Sequence, residues 1–409
     1  MNGRAARMLS IGLGLLAPLA LPADARAELS DGKVRIGVID DMSGGFADQT
    51  GAGSVLAARL AIEDFGGGVL GRPVELVFGD HQNKADIAAN LARQWYDADQ
   101  VDMIVGLSNS SVAIAVQTVA RDKGKVSIVT GAGSVALTGR ECSPTGFHWV
   151  YDTYAVARNT GSQMVREGGG SWFFITADYA FGQSLEADMT RAVLASGGTV
   201  VGSVKVPINT ADYASFLLQA QSSGAKVVAL ATGGNDLINA LKQAAEFGLT
   251  AGGQRLASPL TFITDVHALG LPTAGGLTSV SAFYWDLNDA TRAWSERFFK
   301  QHKAMPTMAQ AGVYSAVLHY LKAVQAAGGD AGPAVAERMR ALPIDDFMTK
   351  NGRAREDGRV LRDLYLIQVK RPEESKKPWD YYRILATIPG EASFRPLAEG
   401  DCARVKGKS

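Results

Sequence analysis

Small hydroxyl and amide residues precede a helix pattern in this sequence, and together they could bind an anion without a cationic side chain. The most specific segment is Ser108-Asn109-Ser110-Ser111, at the end of a short apolar run. The first N–H groups of a helix lack intrahelical partners, and the helix dipole favours a negative charge beside them. We therefore expect Ser110 and its neighbours to bind a carboxylate. Capping of the helix by these same residues is equally compatible with the motif.

A second candidate segment follows the next apolar run and reads Gly131-Ala132-Gly133-Ser134. Glycine lets a ligand approach the backbone closely because it has no Cβ. Gly131, Gly133 and Ser134 are therefore predicted to contact the ligand, with a tight turn as an equally good explanation.

Aromatic and acidic side chains near other strand ends could complete such a site. Tyr179 and Phe181 are favoured for stacking on a ligand because they lie in a turn that ends at Gly182. Most buried aromatic residues belong to the core instead. The remaining candidates for ligand contact are Ser43, Phe46, Tyr154, Asp236, Asp265 and Phe283.

The signatures of common enzymes are absent from the sequence. No Gly-x-Gly-x-x-Gly follows the first apolar run, and neither a phosphate loop nor a Gly-x-Ser-x-Gly turn occurs. The five histidines are scattered without the spacing of metal ligands. We therefore predict no catalytic residue, no metal and no cofactor, and a secreted enzyme with an unrecognised site is the least favoured alternative.

The elements that must position these residues alternate between apolar strand patterns and helix patterns. Short strands that are apolar throughout are typical of a parallel sheet covered on both faces, and the alternation predicts a doubly wound α/β layer. The first unit has strands at 34–39, 74–78, 103–107 and 126–130. A second unit begins near Tyr151 and has strands at 172–176, 200–206, 227–231 and 260–264.

The last third of the chain has a different pattern, with a strand at 277–284, long helices at 291–303 and 309–327, and strands at 364–369 and 381–386. These pieces are too few for a third domain. We expect them to return to the two earlier sheets, so that several crossings between the lobes form a hinge.

The N-terminal segment has the composition of a secretory signal. Arg4 and Arg7 precede an apolar run at 8–21, and Ala25-Arg26-Ala27 matches a cleavage site. We predict cleavage after Ala27 and export to the periplasm.

Composition and cysteine content bear on the partners and on the compartment. Lysine plus arginine and aspartate plus glutamate each number 41, which gives no indication of a nucleic-acid partner. In an oxidising compartment Cys142 and Cys402 are predicted to form a disulfide, with two buried thiols as the alternative.

The order and spacing of several short motifs resemble the type I periplasmic solute-binding proteins of ABC transporters, in the leucine/isoleucine/valine-binding group. The resemblance extends from about 33 to beyond 382 and rests on stretches at 36–38, 68–76, 80–83, 137–139 and 179–182. It implies two Rossmann-like lobes joined by a hinge of three crossings. The implied segments are a signal peptide at 1–27, lobe 1 at 28–152 and about 280–345, lobe 2 at 153–279 and about 346–390, and a tail at 391–409.

The resemblance also implies how a ligand is held. In family members a serine at the position of Ser110 binds the ligand carboxylate, assisted by backbone groups at the positions of Gly131 and Gly133. An aromatic residue at or near Tyr179 or Phe181 faces it from the other lobe. The family's threonine is replaced here by Gly133, and Asp265 only loosely matches the acidic residue that binds an α-ammonium group.

These departures argue against an amino-acid ligand. The chain also resembles a subgroup that binds aromatic carboxylates, which has similar motifs at 109–110, 142–149, 286–289 and 378–382. The resemblance therefore implies capture of a benzoate- or phenylpropanoid-like acid by a monomer that delivers it to an ABC permease. Binding of a branched-chain amino acid or amide is one alternative. A periplasmic sensory module with the same cleft is another.

Overall fold

The computed structural model describes Met1 and residues 29–406. The predicted cleavage site at Ala27 lies outside the described residues. Within the part that is described, no helix combines the length and the apolar character that a membrane span requires.

The first lobe is built on a six-stranded sheet in which short apolar strands pair in parallel. Its order is β2-β3-β1-β4-β5-β6, and only β2 is antiparallel to its neighbour. The side chains of Val34, Ile36 and Val38 are fully buried, as expected for a strand covered on both faces. The strands are β1 Val34–Asp40, β2 Gly68–Val69, β3 Arg72–Asp80, β4 Met103–Gly106, β5 Val126–Val129 and β6 Gly146–His148.

The register of this sheet brings three strand ends together. Ile39 of β1 pairs with Gly106 of β4, which in turn pairs with Val129 of β5. The loops that follow these strands therefore meet at one edge of the sheet, which is where open α/β sheets bind ligands. The helices of this lobe are α1 Gly51–Phe65, α2 Ala85–Asp97, α3 Ser110–Asp122, α10 Asp289–His302, α11 Met308–Ala327 and α12 Gly332–Ala341.

The second lobe has a four-stranded parallel sheet in the order β10-β9-β7-β8. Its strands are β7 Ser171–Ala177, β8 Thr199–Val206, β9 Val227–Ala231 and β10 Arg255–Ala257. Its helices are α4 Thr153–Arg166, α5 Ala180–Ala195, α6 Ala214–Ser222, α7 Asn235–Glu246, α8 Ile263–Leu269 and α9 Leu271–Ala274.

The predicted strand at 260–264 is wrong, because the strand of this region ends earlier and α8 begins at Ile263. A short apolar run does not distinguish a buried strand from a buried helix by itself. Asp265 decides the outcome here, since its carboxylate accepts the Phe262 N–H at 2.8 Å and so caps the first turn of α8.

The prediction that the last strands return to the two main sheets is also wrong. They form a separate antiparallel sheet in the order β11-β14-β15, and β11 lies against α4. β14 and β15 are close in the chain and pair antiparallel with each other, and β11 pairs with the other edge of β14. The remaining strands are β11 Thr278–Ser281, β12 Arg353–Ala354, β13 Val360–Leu361, β14 Leu364–Val369 and β15 Tyr382–Ile388.

The chain passes between the lobes three times, after β6, after β11 and after α12. Arg359 joins two of these crossings. Its fully buried guanidinium donates to the Tyr151 carbonyl at 3.0 Å and lies 3.5 Å from the carboxylate of Asp152. These contacts link two of the crossing segments to each other.

The C-terminal tail is held against the rest of the chain by the predicted disulfide, which is confirmed between Cys142 and Cys402. The tail contains α13 Gly390–Ser393 and α14 Ala403–Lys406. Before reaching the disulfide it contacts α4, where Arg158 donates to the Ala392 carbonyl at 3.2 Å. The tail therefore links the second lobe to a loop of the first.

Candidate ligand-binding cleft

The strand-end loops of the two lobes surround a narrow cavity. Aromatic rings, glycines and two neutral polar side chains form its walls, and none of these described residues carries a charge. The lining residues are Phe46, Gln49, Ser108, Gly131, Gly133, Tyr151, Tyr179, Phe181, Gly233, Leu260 and Phe262. Ligand pockets typically have this composition, with a few polar groups among apolar walls.

The wall from the first lobe depends on two glycines. A Cβ on Gly131 would lie 2.8 Å from the Cα of Ser108, so no larger residue fits beside that loop. A Cβ on Gly133 would lie 2.9 Å from the ring of Tyr151 and 3.1 Å from that of Phe181. Gly133 therefore leaves room between two aromatic rings at the cavity.

At the predicted carboxylate-binding site, the start of α3, two of the free N–H groups already bind the side chain that caps the helix. The Asn109 side chain accepts hydrogen bonds from the N–H groups of Ser111 and Val112, at 2.7 and 3.3 Å. The Ser110 hydroxyl accepts the Ser134 N–H at 3.2 Å and is almost fully buried. Ser110 and Ser134 thus lie behind the wall, while Ser108 reaches the cavity itself.

The second lobe supplies most of the aromatic surface. Tyr179 and Phe181 form a tilted pair whose ring centroids are 6.0 Å apart. Phe262 lies edge-on to Tyr151 at 6.1 Å, and the Tyr151 hydroxyl donates to the Gly131 carbonyl at 2.5 Å. A planar apolar group would meet ring faces and edges on several sides of this cavity.

Direct contacts between the lobes close the cleft. The Asn235 N–H donates to the Gly45 carbonyl at 3.1 Å, beside the packing of Phe46 on Gly234. The Gln49 side-chain amide donates to Asp265 at 2.8 Å. The structure therefore shows the arrangement in which residues from both lobes surround the cavity.

Neither acidic candidate from the sequence lines the cavity. Asp265 accepts hydrogen bonds from Gln49 and from the Phe262 N–H, and burial raises its pKa to about 7. Asp236 accepts the Asn209 N–H at 2.9 Å, and burial raises its pKa as well. Both carboxyl groups already have partners within the protein.

Three further candidates also lie away from the cavity. The Ser43 hydroxyl donates to Asp80 at 2.6 Å near the surface. Tyr154 lines a separate pocket against α5 and the tail. Phe283 packs edge-on against Trp294 within the core.

The structure brings Phe46, Gly131, Gly133, Tyr179 and Phe181 together at the cavity, as well as residues that the sequence did not single out. Ser108 and Gly233 could have been predicted from the sequence, because each lies in a segment that directly follows a strand. The hinge residue Tyr151 and the residue before α8, Phe262, gave no such signal, because their positions depend on how the lobes meet. Gln49 and Leu260 also gave none.

Among residues 29–406, no group of histidine, cysteine, aspartate or glutamate side chains is placed to hold a metal ion. The polar groups at the cavity are hydroxyl, amide and backbone groups. Such groups can bind a neutral or anionic organic molecule through hydrogen bonds.

Comparison with known proteins gives the family. The model of a family described as periplasmic binding protein matches residues 33–377. A periplasmic binding protein from Burkholderia mallei is 49% identical, has a TM-score of 0.90, and is aligned over 92% of this chain and 100% of its own. A branched chain amino acid ABC transporter periplasmic ligand-binding protein from Burkholderia xenovorans LB400 is 41% identical, with a TM-score of 0.82 over 91% of this chain and 100% of its own.

A more distant likeness concerns the fold alone. A solute-binding protein of an ABC transporter from R. palustris, solved in complex with benzoate, is 22% identical with a TM-score of 0.79, over 91% of this chain and 100% of its own. These likenesses confirm the predicted fold class of two α/β lobes. The extent of the family match shows that the chain belongs to the periplasmic binding protein family.

Proposed function

We propose that this protein is the non-catalytic substrate-binding component of an ABC importer, and that it captures a small aromatic carboxylate between its lobes in the periplasm. The observation that carries the proposal is the uncharged, aromatic-lined cavity with a hydroxyl and glycine backbone on one wall. The implied partner is a permease in the inner membrane, to which the loaded protein delivers its ligand.

The chemistry of the walls suits an aromatic acid. The ring would lie among Tyr151, Tyr179, Phe181 and Phe262, where apolar contact favours a flat molecule. The acid group would lie at the opposite wall, near the Ser108 hydroxyl. The benzoate complex of the R. palustris neighbour supports this reading, because the same fold there accommodates such a ligand.

A branched-chain amino acid is the second candidate, favoured by the name of the Burkholderia xenovorans relative. Its α-ammonium group would need an acidic partner in the cleft. Asp265 is the nearest candidate, but both of its oxygens already accept hydrogen bonds from Gln49 and the Phe262 N–H. Releasing Asp265 would therefore cost two interactions, which favours the organic acid.

A thermal-shift screen of residues 28–409 tests the proposed ligand class. A ligand that binds only the folded protein raises the melting temperature by mass action. We expect benzoate and 4-hydroxybenzoate to raise it and leucine, isoleucine and valine to leave it unchanged. A rise with the aliphatic amino acids alone would show that the second candidate is correct.

The variant Asp265→Asn separates the two candidates at the level of one residue. If the ligand is an organic acid, titration calorimetry should show less than about a 10-fold change in affinity, because no ligand charge faces Asp265. An ammonium group held by Asp265 would lose its counter-charge, and affinity would fall by roughly 100-fold or more. Asp236→Asn serves as the matched control, because this buried carboxylate also accepts a backbone N–H and does not line the cavity.

A further inference from the structure

A chain of hydrogen bonds behind the cavity wall fixes the orientation of the Ser108 hydroxyl. The backbone N–H of Asn83 donates to Nδ1 of His81 at 2.9 Å, so this ring nitrogen must be unprotonated. Burial lowers the pKa of His81 to about 4, so the ring is neutral near neutral pH. A neutral imidazole with a free Nδ1 carries its proton on Nε2.

His81 therefore acts as a donor toward Ser108. Its Nε2 lies 3.0 Å from the Ser108 Oγ, and both residues are buried. The N–H of Asp41 also donates to this oxygen, at 3.2 Å. A hydroxyl oxygen has two lone pairs and one proton, so both acceptor positions of Ser108 are occupied and only its proton is left.

The other acceptor near that proton is the carboxyl group of Asp40, which lies at the end of β1. Neither of its oxygens has a partner at normal hydrogen-bond geometry among the described residues, but the hydroxyl groups of Ser54 and Ser108 lie close enough to favour its charged form. Burial raises the pKa of Asp40 to about 7, so near neutral pH this carboxyl is a weaker acceptor than a fully charged carboxylate. The hydroxyl proton is therefore the only group that Ser108 can offer to an acceptor in the cavity that it lines.

The turn that contains His81 is itself held in place. Gln82 and Asn83 both have positive φ, of 50° and 57°, which turns the Asn83 N–H back toward the imidazole ring. The Asn83 side chain accepts a hydrogen bond from Asn109 at 2.6 Å. Because Asn109 also caps α3, the position of His81 is linked to the helix start beside the cavity.

We propose that His81 is a positioning residue that makes Ser108 an obligatory hydrogen-bond donor, so that this end of the cleft selects ligands that present an anionic or other acceptor group. A ligand that presents an N–H group at this point finds no lone pair on Ser108. The inference rests on the proposed binding function, and it assigns the recognition of the acid group to Ser108 and His81.

Two probes of the same shape test the selectivity by titration calorimetry. Benzoate only accepts hydrogen bonds through its carboxylate, whereas benzamidinium only donates. We expect the wild-type protein to prefer benzoate, and Ser108→Ala to weaken benzoate binding by roughly 10- to 150-fold. His81→Phe keeps a ring but releases a lone pair of Ser108, so the preference for benzoate should fall by more than about 10-fold. An unchanged preference in both variants would overturn the proposal.

A buried serine on β5, which pairs with the strand β4 that precedes Ser108, provides the matched control for Ser108→Ala. Ser127 is fully buried, its hydroxyl has no partner among the described residues, and it does not line the cavity. Ser127→Ala should leave both affinities unchanged. If Ser127→Ala lost as much benzoate binding as Ser108→Ala, the effect of Ser108→Ala would come from a general disturbance of the first lobe and not from a lost contact with the ligand.

The tautomer of His81 can be measured in the ligand-free protein, independently of the ligand's identity. Two-bond ¹⁵N–¹H spectra, assigned by the loss of signals in His81→Phe, should show a neutral ring protonated at Nε2. A ring protonated at Nδ1 would overturn the inference whatever the ligand is. Binding of leucine but of neither probe would instead contradict the proposed aromatic acid, and the tautomer would still decide the role of His81.

Discussion

Gly234→Ala should weaken ligand binding by roughly 100-fold, as expected if a penalty of about 3 kcal/mol falls on the closed form. A Cβ on Gly234 would lie 2.5 Å from the Gly45 carbonyl oxygen and 2.7 Å from the ring of Phe46. Both atoms belong to the opposite lobe, and separating the lobes removes both contacts. The added methyl group therefore acts against closure. Titration calorimetry with benzoate measures the loss.

The backbone of Gly234 adds a local cost that must be separated from the clash. Its φ of 63° and ψ of −144° are readily adopted by glycine alone, so alanine is strained here in open and closed forms alike. Strain that is present in both forms lowers stability but does not shift the equilibrium between them. The change in affinity and the change in melting temperature should thus have different origins.

Gly248→Ala is the matched control at the other end of α7. Gly248 also has a positive φ, of 67°, but the nearest atom to an added Cβ is the Ala251 side chain at 3.9 Å. We expect this variant to lower the melting temperature while ligand affinity stays unchanged. Equal losses of affinity in both variants would contradict a steric effect on closure, because only Gly234 faces the other lobe.

The sequence allowed the two lobes to be predicted because a parallel strand buried on both faces is apolar along its whole length. The fully buried strands β4 and β5 are examples, and helix patterns between such strands indicate crossovers. The same pattern failed at 260–264, where the capping hydrogen bond of Asp265 starts a helix. It also gave no information on the partners of β11, β14 and β15, since strand pairing depends on which edges are free in the assembled fold.

The candidate site was predictable to the extent that strand ends could be located. Gly131, Gly133, Tyr179 and Phe181 all follow or adjoin such ends, and they meet at one cavity. The choice between Ser108 and Ser110 could not be made from sequence, because both hydroxyls lie in the same turn. The choice depends on the folded structure, in which the Ser110 hydroxyl accepts a hydrogen bond from the Ser134 N–H while Ser108 lines the cavity.

Removing the disulfide should produce the largest change in stability, a loss of roughly 3–5 kcal/mol in the free energy of unfolding for Cys142→Ala/Cys402→Ala. The two cysteines are 260 residues apart, so the bond closes a long loop and strongly restricts the unfolded chain. Such a loss is a large share of the total stability of a typical protein. Chemical denaturation of the double variant measures it.

Ligand affinity should respond much less than stability to this change. Neither cysteine lines the cavity, and the tail keeps the contacts of Ala392 with Arg158 and of Arg395 with Arg355. Wild-type protein in reducing agent is the control, because it loses the bond without losing any side-chain atoms. Equal stability of the oxidised, reduced and double-variant proteins would contradict a stabilising role. If affinity fell together with stability, the tail would have to hold the first lobe in its binding arrangement, because Cys142 follows the loop that carries Gly133.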